Sequence, residues 1–517
     1  MKKNVRLTII LSAVVVLLVL TLVVLLNMPE PETAGEKKSD SYDILLYDKT
    51  ALDAEEITVK NSSGEYMLVG LSYRSEAESM EKENSESESS SESSQNIRED
   101  KETSSTKVYV SYTMQGYEDI NLSKNMTDQL AHECSYVTAI KIIDKSGNKY
   151  SEYGLDEPVA TIRTVFSDNS EEILYLGRTA PDNQGVYCKR EGSKNVYLMQ
   201  SDSVDMFFVK KLQMFDKTIT REYDSDSEDN LITAFSISGE GYNPPLEIDA
   251  YEDANVNARY KMRSPYREIC GQAYVQNIGM RIFGLSGSEV MAANITDEDK
   301  KEYGLDKPYM DVTSTSADGR KAHILVSKAD EKGNCFVMEA QGKIIFRLTK
   351  DDIEKWYDIS YKDFLAQALV IPNEDSLKTF TIKYGDDVQQ YDYTHKIITT
   401  ERFEEVLNTE VTIDGKKLSS SNLSIFIKNL SGLVRQSTDI ENLDGYNEVA
   451  SFTYVFNGDE QVIDTLVLYQ NKDGSTAAAL NGNVECTVDS SYAKELLSQI
   501  EKIQGNEQLE TIIQDSE

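Results

Sequence analysis

Hydrophobic and polar residues follow three different rhythms along this chain. From Leu7 to Leu26 the residues are uncharged and almost entirely apolar, with no proline or glycine. A helix needs about 20 apolar residues to cross a bilayer core of roughly 30 Å, so the run predicts a transmembrane anchor. Lys2, Lys3 and Arg6 precede it, while Glu30, Glu32 and Glu36 follow. That asymmetry places the N-terminus in the cytoplasm and everything after Asn27 outside. The run exceeds the roughly 7–15-residue core of a cleaved signal peptide, and the segment after it offers no Ala-x-Ala site.

Beyond the anchor, alternating segments of strand character are punctuated by segments with apolar residues three and four apart. Paired strands are predicted at 56–60 with 65–69, 235–238 with 246–250, and 380–384 with 389–393. A helix follows each pair, carrying Met126 and Leu130, then Tyr274, Ile278 and Ile282, then Leu423, Phe426, Ile427, Leu430 and Val434. Tyr153-Gly154-Leu155-Asp156-Glu157-Pro158 recurs as Tyr303-Gly304-Leu305-Asp306-Lys307-Pro308, and a worn copy without the proline spans 443–449. The hexapeptide reads as a helix exit. Thr296 and Asp299 form a capping box, Gly304 supplies the left-handed residue, and Pro308 forbids continuation. Four strands with tight turns follow each copy, the third including an Asn481-Gly482 hairpin signal. A second amphipathic helix should close each set, with Val204, Phe207, Phe208 and Leu212, then Ile353, Trp356 and Tyr357, then Ala493, Leu496, Leu497 and Ile500 facing the core.

The expected class is therefore α+β: an N-terminal transmembrane helix, then three repeated units, each with antiparallel strands and two amphipathic helices. The boundaries are 1–27 for the cytoplasmic N-terminus and anchor, 28–42 for a linker, 43–225, 226–372 and a divergent 373–505 for the units, and 506–517 for a tail. Within the first unit, residues 75–106 hold eleven serines and ten acids against three bases, and read as a disordered hairpin insertion.

The YGLDxP motif, the Leu176-Gly177 strand end, the Val196-Tyr197-Leu198 strand and Gly116-Tyr117-Glu118-Asp119 together resemble the domain-of-unknown-function family 4340. The resemblance is strongest over 43–211 and 231–364 and implies tandem copies in a membrane-anchored protein of the bacterial envelope. It further implies company with export-type ABC transporters, as permease, ATPase and auxiliary subunit. It carries over no catalytic residue.

Charge narrows the partners. With 89 acids against 53 bases, the net charge of -36 argues against nucleic acid phosphates. The five cysteines, Cys134, Cys188, Cys270, Cys335 and Cys486, show no CxxC spacing and read as small buried hydrophobes. His132, His323 and His395 stand in unrelated contexts without HExxH or GxSxG neighbours. Asp224, Asp226, Glu228 and Asp229 lack the glycine of a calcium loop and read as a solvated linker. Thirty tyrosines suit half-buried strand faces as well as a binding face. No residue is assigned a catalytic, cofactor or metal role. The expectation is a non-enzymatic, extracytoplasmic accessory protein; the alternative is a module for wall or surface polymer.

Overall fold

A computed structural model describes residues 44–75, 107–181, 184–223, 231–250, 255, 258–400, 405–418, 420–440, 442–458, 463–504 and 507–512. The anchor, the linker 28–42, the acidic run 224–229 and all of the serine-rich insertion but Ser75 lie outside these residues. The described residues fall into two compact units, one within 44–116 and 124–211, the other within 117–123 and 212–512.

The first unit is built on an antiparallel sheet of eight strands. In spatial order they are Lys107–Met114, Gly64–Ser75, Ala54–Asn61, Ala160–Phe166, Glu171–Thr179, Val186–Arg190, Val196–Met199 and Lys141–Asp144. Strict alternation in Ala160–Phe166 buries every second residue. A short ladder joins Ile44–Asp48 to Tyr136–Ala139, and the helix Lys124–Ser135 buries Leu130, Ala131 and Cys134.

Two further sheets of nine strands make up the second unit, and both repeat the same order. One runs Glu268–Cys270, Tyr260–Ser264, Tyr242–Ala250, Ile232–Gly239, Met310–Ser316, Lys321–Val326, Asn334–Glu339, Ile344–Thr349, Glu289–Ala293. The other runs Lys416–Lys417, Glu405–Ile413, Asp387–Thr399, Leu377–Tyr384, Tyr446–Phe456, Ile463–Asn471, Thr476–Leu480, Val484–Val488, Arg435–Ser437. Phe380, Phe426, Phe452 and Tyr454 anchor the core of this last sheet, covered by the helices Ser420–Ser431 and Ser490–Gln504.

The repeated hexapeptide behaves as its residues dictate. Gly154 and Gly304 take φ of +70° and +68°, a region that costs glycine nothing. Leu155 and Leu305 are buried, while Tyr153 and Tyr303 stay half-buried with their rings edge-on to Tyr187 and Phe336. Thr296 and Asp299 form the expected capping box. The strand pairs, the four strands after each motif copy and the Asn481-Gly482 turn are all present.

The α+β class needs correction, because the described residues are mostly β-sheet, in four antiparallel sheets. No helix among them is long and apolar enough to cross a membrane. Two amphipathic helices per unit occur only around the third large sheet. The first two closing segments are short 3-10 turns, Asp202–Phe208 and Lys350–Ile353. After Phe208 the backbone turns extended at Val209, and after Tyr357 it enters the left-handed region at Asp358, φ +58°. Neither segment can complete a helix, whereas Ser490–Gln504 runs 15 residues unbroken. Phe208 is consequently 38% exposed instead of forming part of a core stripe, and Tyr274 is 37% exposed. Ile353, Trp356 and Tyr357 are buried as expected.

Candidate functional site

Two linkers inside the second unit are threaded between strand edges in the same way. Ahead of the helix Gln272–Met280, the edge strand Glu268–Cys270 faces the linker that begins at Phe364. Gly271 N donates to Phe364 O (2.9 Å), and Ala366 N donates to Ile269 O (3.0 Å). The linker then turns its other side to the next sheet, where Arg435 N donates to Gln367 O (2.7 Å) and Ala368 bridges Val434. The earlier linker repeats each step. Ser123 N donates to Met214 O (2.8 Å), Asp216 N to Asn121 O (3.0 Å), Gly287 N to Lys217 O (2.7 Å), and Thr218 bridges Ser286. These bonds satisfy backbone groups that two bare sheet edges would leave unpaired.

The side chains on the two scaffolds differ in kind. At the later joint Glu268 and Arg435 form an ion pair at 2.5 Å, with side-chain exposures of 0% and 4%. Arg435 also donates to the carbonyls of Ala366 (2.6 Å) and Ala368 (3.1 Å). Burial pushes the Glu268 carboxyl up to about 7, against the pull of Arg435 and Arg267. Arg267 in turn pairs with Asp464.

At the earlier joint the matching positions hold Ile120 and Gly287. A Cβ on Gly287 would stand 2.8 Å from Phe346, so Phe346 takes the room a side chain would need. Beside this joint lies a solvent-open cleft of about 750 Å³. Ile219, Ala322 and Phe346 supply its buried floor. Its rim carries Arg221, Lys321, Glu222 and Glu339, all exposed, together with Arg320 and the Lys343–Asp119 ion pair. Thr220 is fixed at the base, its hydroxyl donating to Ile282 O (2.7 Å) and accepting from Leu285 N (3.0 Å). The Arg320 guanidinium stands 4.3 Å over the Tyr223 ring, which meets Phe283 edge-on at 5.3 Å. Arg320 also donates to Asp318 (2.5 Å). The Ser316 hydroxyl, the Arg320 backbone N–H and that guanidinium hold the Asp318 carboxyl down at about 2. A cleft of this size and mixed charge offers donors and acceptors to a polar ligand.

The histidines lie elsewhere and apart. His132 is exposed on the helix Lys124–Ser135. His323 Nε2 meets Asp311 Oδ1 at 2.7 Å on a sheet face, and His395 donates through Nε2 to Leu377 O (2.7 Å). All five cysteines are free and buried. Among the described residues, no group of three or more His, Cys, Asp or Glu side chains could hold a metal ion. Tyr309 donates to Asp358 (2.6 Å), which also accepts from Lys350 (2.9 Å), tying the second closing turn to the strand after the motif.

Sequence reasoning missed the cleft because its residues come from five separate segments, none carrying a recognisable motif. A usable signal was present in the linkers themselves. Residues 214–222 read Met-Phe-Asp-Lys-Thr-Ile-Thr-Arg-Glu, while 364–372 read Phe-Leu-Ala-Gln-Ala-Leu-Val-Ile-Pro. Only the first turns polar where it crosses the sheet edge.

Residues 113–264 match the family model of a domain of unknown function, DUF4340. The match starts ahead of the helix Lys124–Ser135 and ends at the strand Tyr260–Ser264, so it contains the earlier linker. No curated protein and no solved structure matches the chain.

Proposed function

We propose that this chain, which carries a DUF4340 match over residues 113–264, is a membrane-tethered accessory protein that works by binding. The observation that carries the reading is the mixed-charge cleft beside the earlier linker, a recognition surface seated on hydrogen-bonded strand edges. The apolar run 7–26, with bases before it and acids after it, supports a tether that leaves the body on the extracytoplasmic side. The DUF4340 resemblance suggests the company of an export-type ABC transporter in a bacterial envelope.

The test is crosslinking and pull-down of the full-length protein from its native membranes, followed by mass spectrometry. Co-purification of a permease with an ATPase is the expected result. Recovery of wall polymer without transporter subunits would overturn the transporter reading.

A further inference from the structure

Strand register and the shared linker bonds fix which residues correspond at the two joints. Ser314 pairs with Ala322 as Tyr454 pairs with Asp464, and Ile324 faces Glu339 as Leu466 faces Leu480. In the linkers, Thr220, Arg221 and Glu222 correspond to Val370, Ile371 and Pro372.

At the later joint those three residues and Leu480 close around a space of about 30 Å³, with Tyr454 and Phe456 also lining it. At the earlier joint Glu339 replaces Leu480, while Ser314 and Ser316, at the positions of the two rings, are buried outside the cleft lining, Ser314 donating to Gly279 O (2.8 Å). The same backbone therefore packs shut when its side chains are apolar and large. The open cleft goes with the residues placed there: Asn121, Thr220, Arg221, Glu222 and Glu339 are polar at five matched lining positions where the later joint is apolar, and Ala322 against Asp464 is the one exchange in the other direction.

We infer that the earlier joint is a binding cleft for a short peptide bearing both acidic and basic side chains. The rim presents cations (Arg221, Lys321) and anions (Glu222, Glu339), so a ligand of one sign would meet repulsion on part of its length. The acidic body, at net -36, adds a field that disfavours polyanions. One face of the Tyr223 ring lies under Arg320 and Phe283 meets the ring edge-on, so Arg320 competes with a sugar for that ring. Asn121, Thr218 and Gln341 add amide and hydroxyl groups suited to a peptide backbone.

This inference rests on the reading of the chain as a binding protein, and it is tested separately from the transporter. The probe is a fluorescent hexapeptide of alternating lysine and glutamate, titrated by anisotropy against the full-length chain in detergent micelles. Hexaglutamate, hexalysine and chitotetraose serve as competitors. The alternating peptide should bind saturably and more weakly as salt rises, with each competitor less effective.

Grafting the later joint's residues, as Arg221→Ile with Glu339→Leu, should weaken binding by about tenfold or more. Lys321→Glu, a change on the exposed rim, is the second variant and should also weaken it. No saturable binding of the alternating peptide would overturn the inference. So would affinity indifferent to both variants, or displacement by chitotetraose alone. Peptide binding retained without transporter capture would refute only the transporter; capture without peptide binding would refute only the cleft.

Discussion

Replacing Glu268 by glutamine isolates the one ion pair among the described residues whose two side chains are both under 10% exposed. The change leaves Arg435 charged and buried, still donating to the Ala366 and Ala368 carbonyls. Below pH 5 the folded carboxyl carries its proton, so the neutral amide stands in for a neutral acid and the two proteins should differ there by about 1 kcal/mol or less.

The pH dependence sharpens the test. Glu268 has an ordinary value of 4.5 and a folded value of about 7, so the folded state holds its proton more tightly than the unfolded chain. Its contribution is fully present below 4.5 and is lost as pH rises through 7. At about 1.4 kcal/mol per unit this amounts to about 3 kcal/mol across the window. Carboxylates held low, such as Asp318, have the opposite sign and act below 3.8, outside it. Trp356, the single tryptophan, is buried in the second unit and reports its unfolding. Urea titrations followed by its fluorescence should show wild-type stability falling between pH 5 and 7.5, and Glu268→Gln losing most of that fall, the remainder coming from Glu374, which burial also raises. Parallel pH profiles for the two proteins would refute the burial argument.

Three other outcomes follow from the same packing. Gly287→Ala forces a Cβ to 2.8 Å from Phe346 and should destabilise the second unit by about 1–3 kcal/mol, read as a shift in urea midpoint. Trp356→Ala, at 2% exposure, should cost about 3–5 kcal/mol by circular dichroism, whereas Phe208→Ala, at 38% exposure, should cost far less. All five thiols are buried. Burial pushes Cys134 and Cys270 up to about 12 and Cys335 and Cys486 to about 11, so a thiol reagent at pH 8 should label none in the native protein and all five in urea.

The local grammar of the chain was open to reading because it rests on nearest neighbours. Alternation placed Ala160–Phe166 and Met310–Ser316, and the glycine and proline of the hexapeptide placed its turn. The closing segments misled for a specific reason: Val204, Phe207 and Phe208 satisfy a three-and-four spacing that a 3-10 turn meets equally well over one or two turns. The edge strands Tyr136–Ala139, Glu268–Cys270 and Arg435–Ser437 are too short to show a period. Their pairing is decided by partners far along the chain. Glu268 and Arg435 lie 167 residues apart, and nothing near either residue announces the other. The cleft was hidden for the same reason, since its charged lining shows only when Thr220, Arg221, Glu222 and Glu339 are set against Val370, Ile371, Pro372 and Leu480, far along the chain.

Photo-crosslinking in native membranes puts the central claim, binding at the earlier joint, to its most direct test. A benzophenone side chain is placed at Lys321 in one protein and at Ile463, its register counterpart at the closed joint, in another. The account predicts a discrete adduct from position 321 that the alternating peptide suppresses, and none of that mass from 463. The same adduct from both positions, or none from 321, would contradict it.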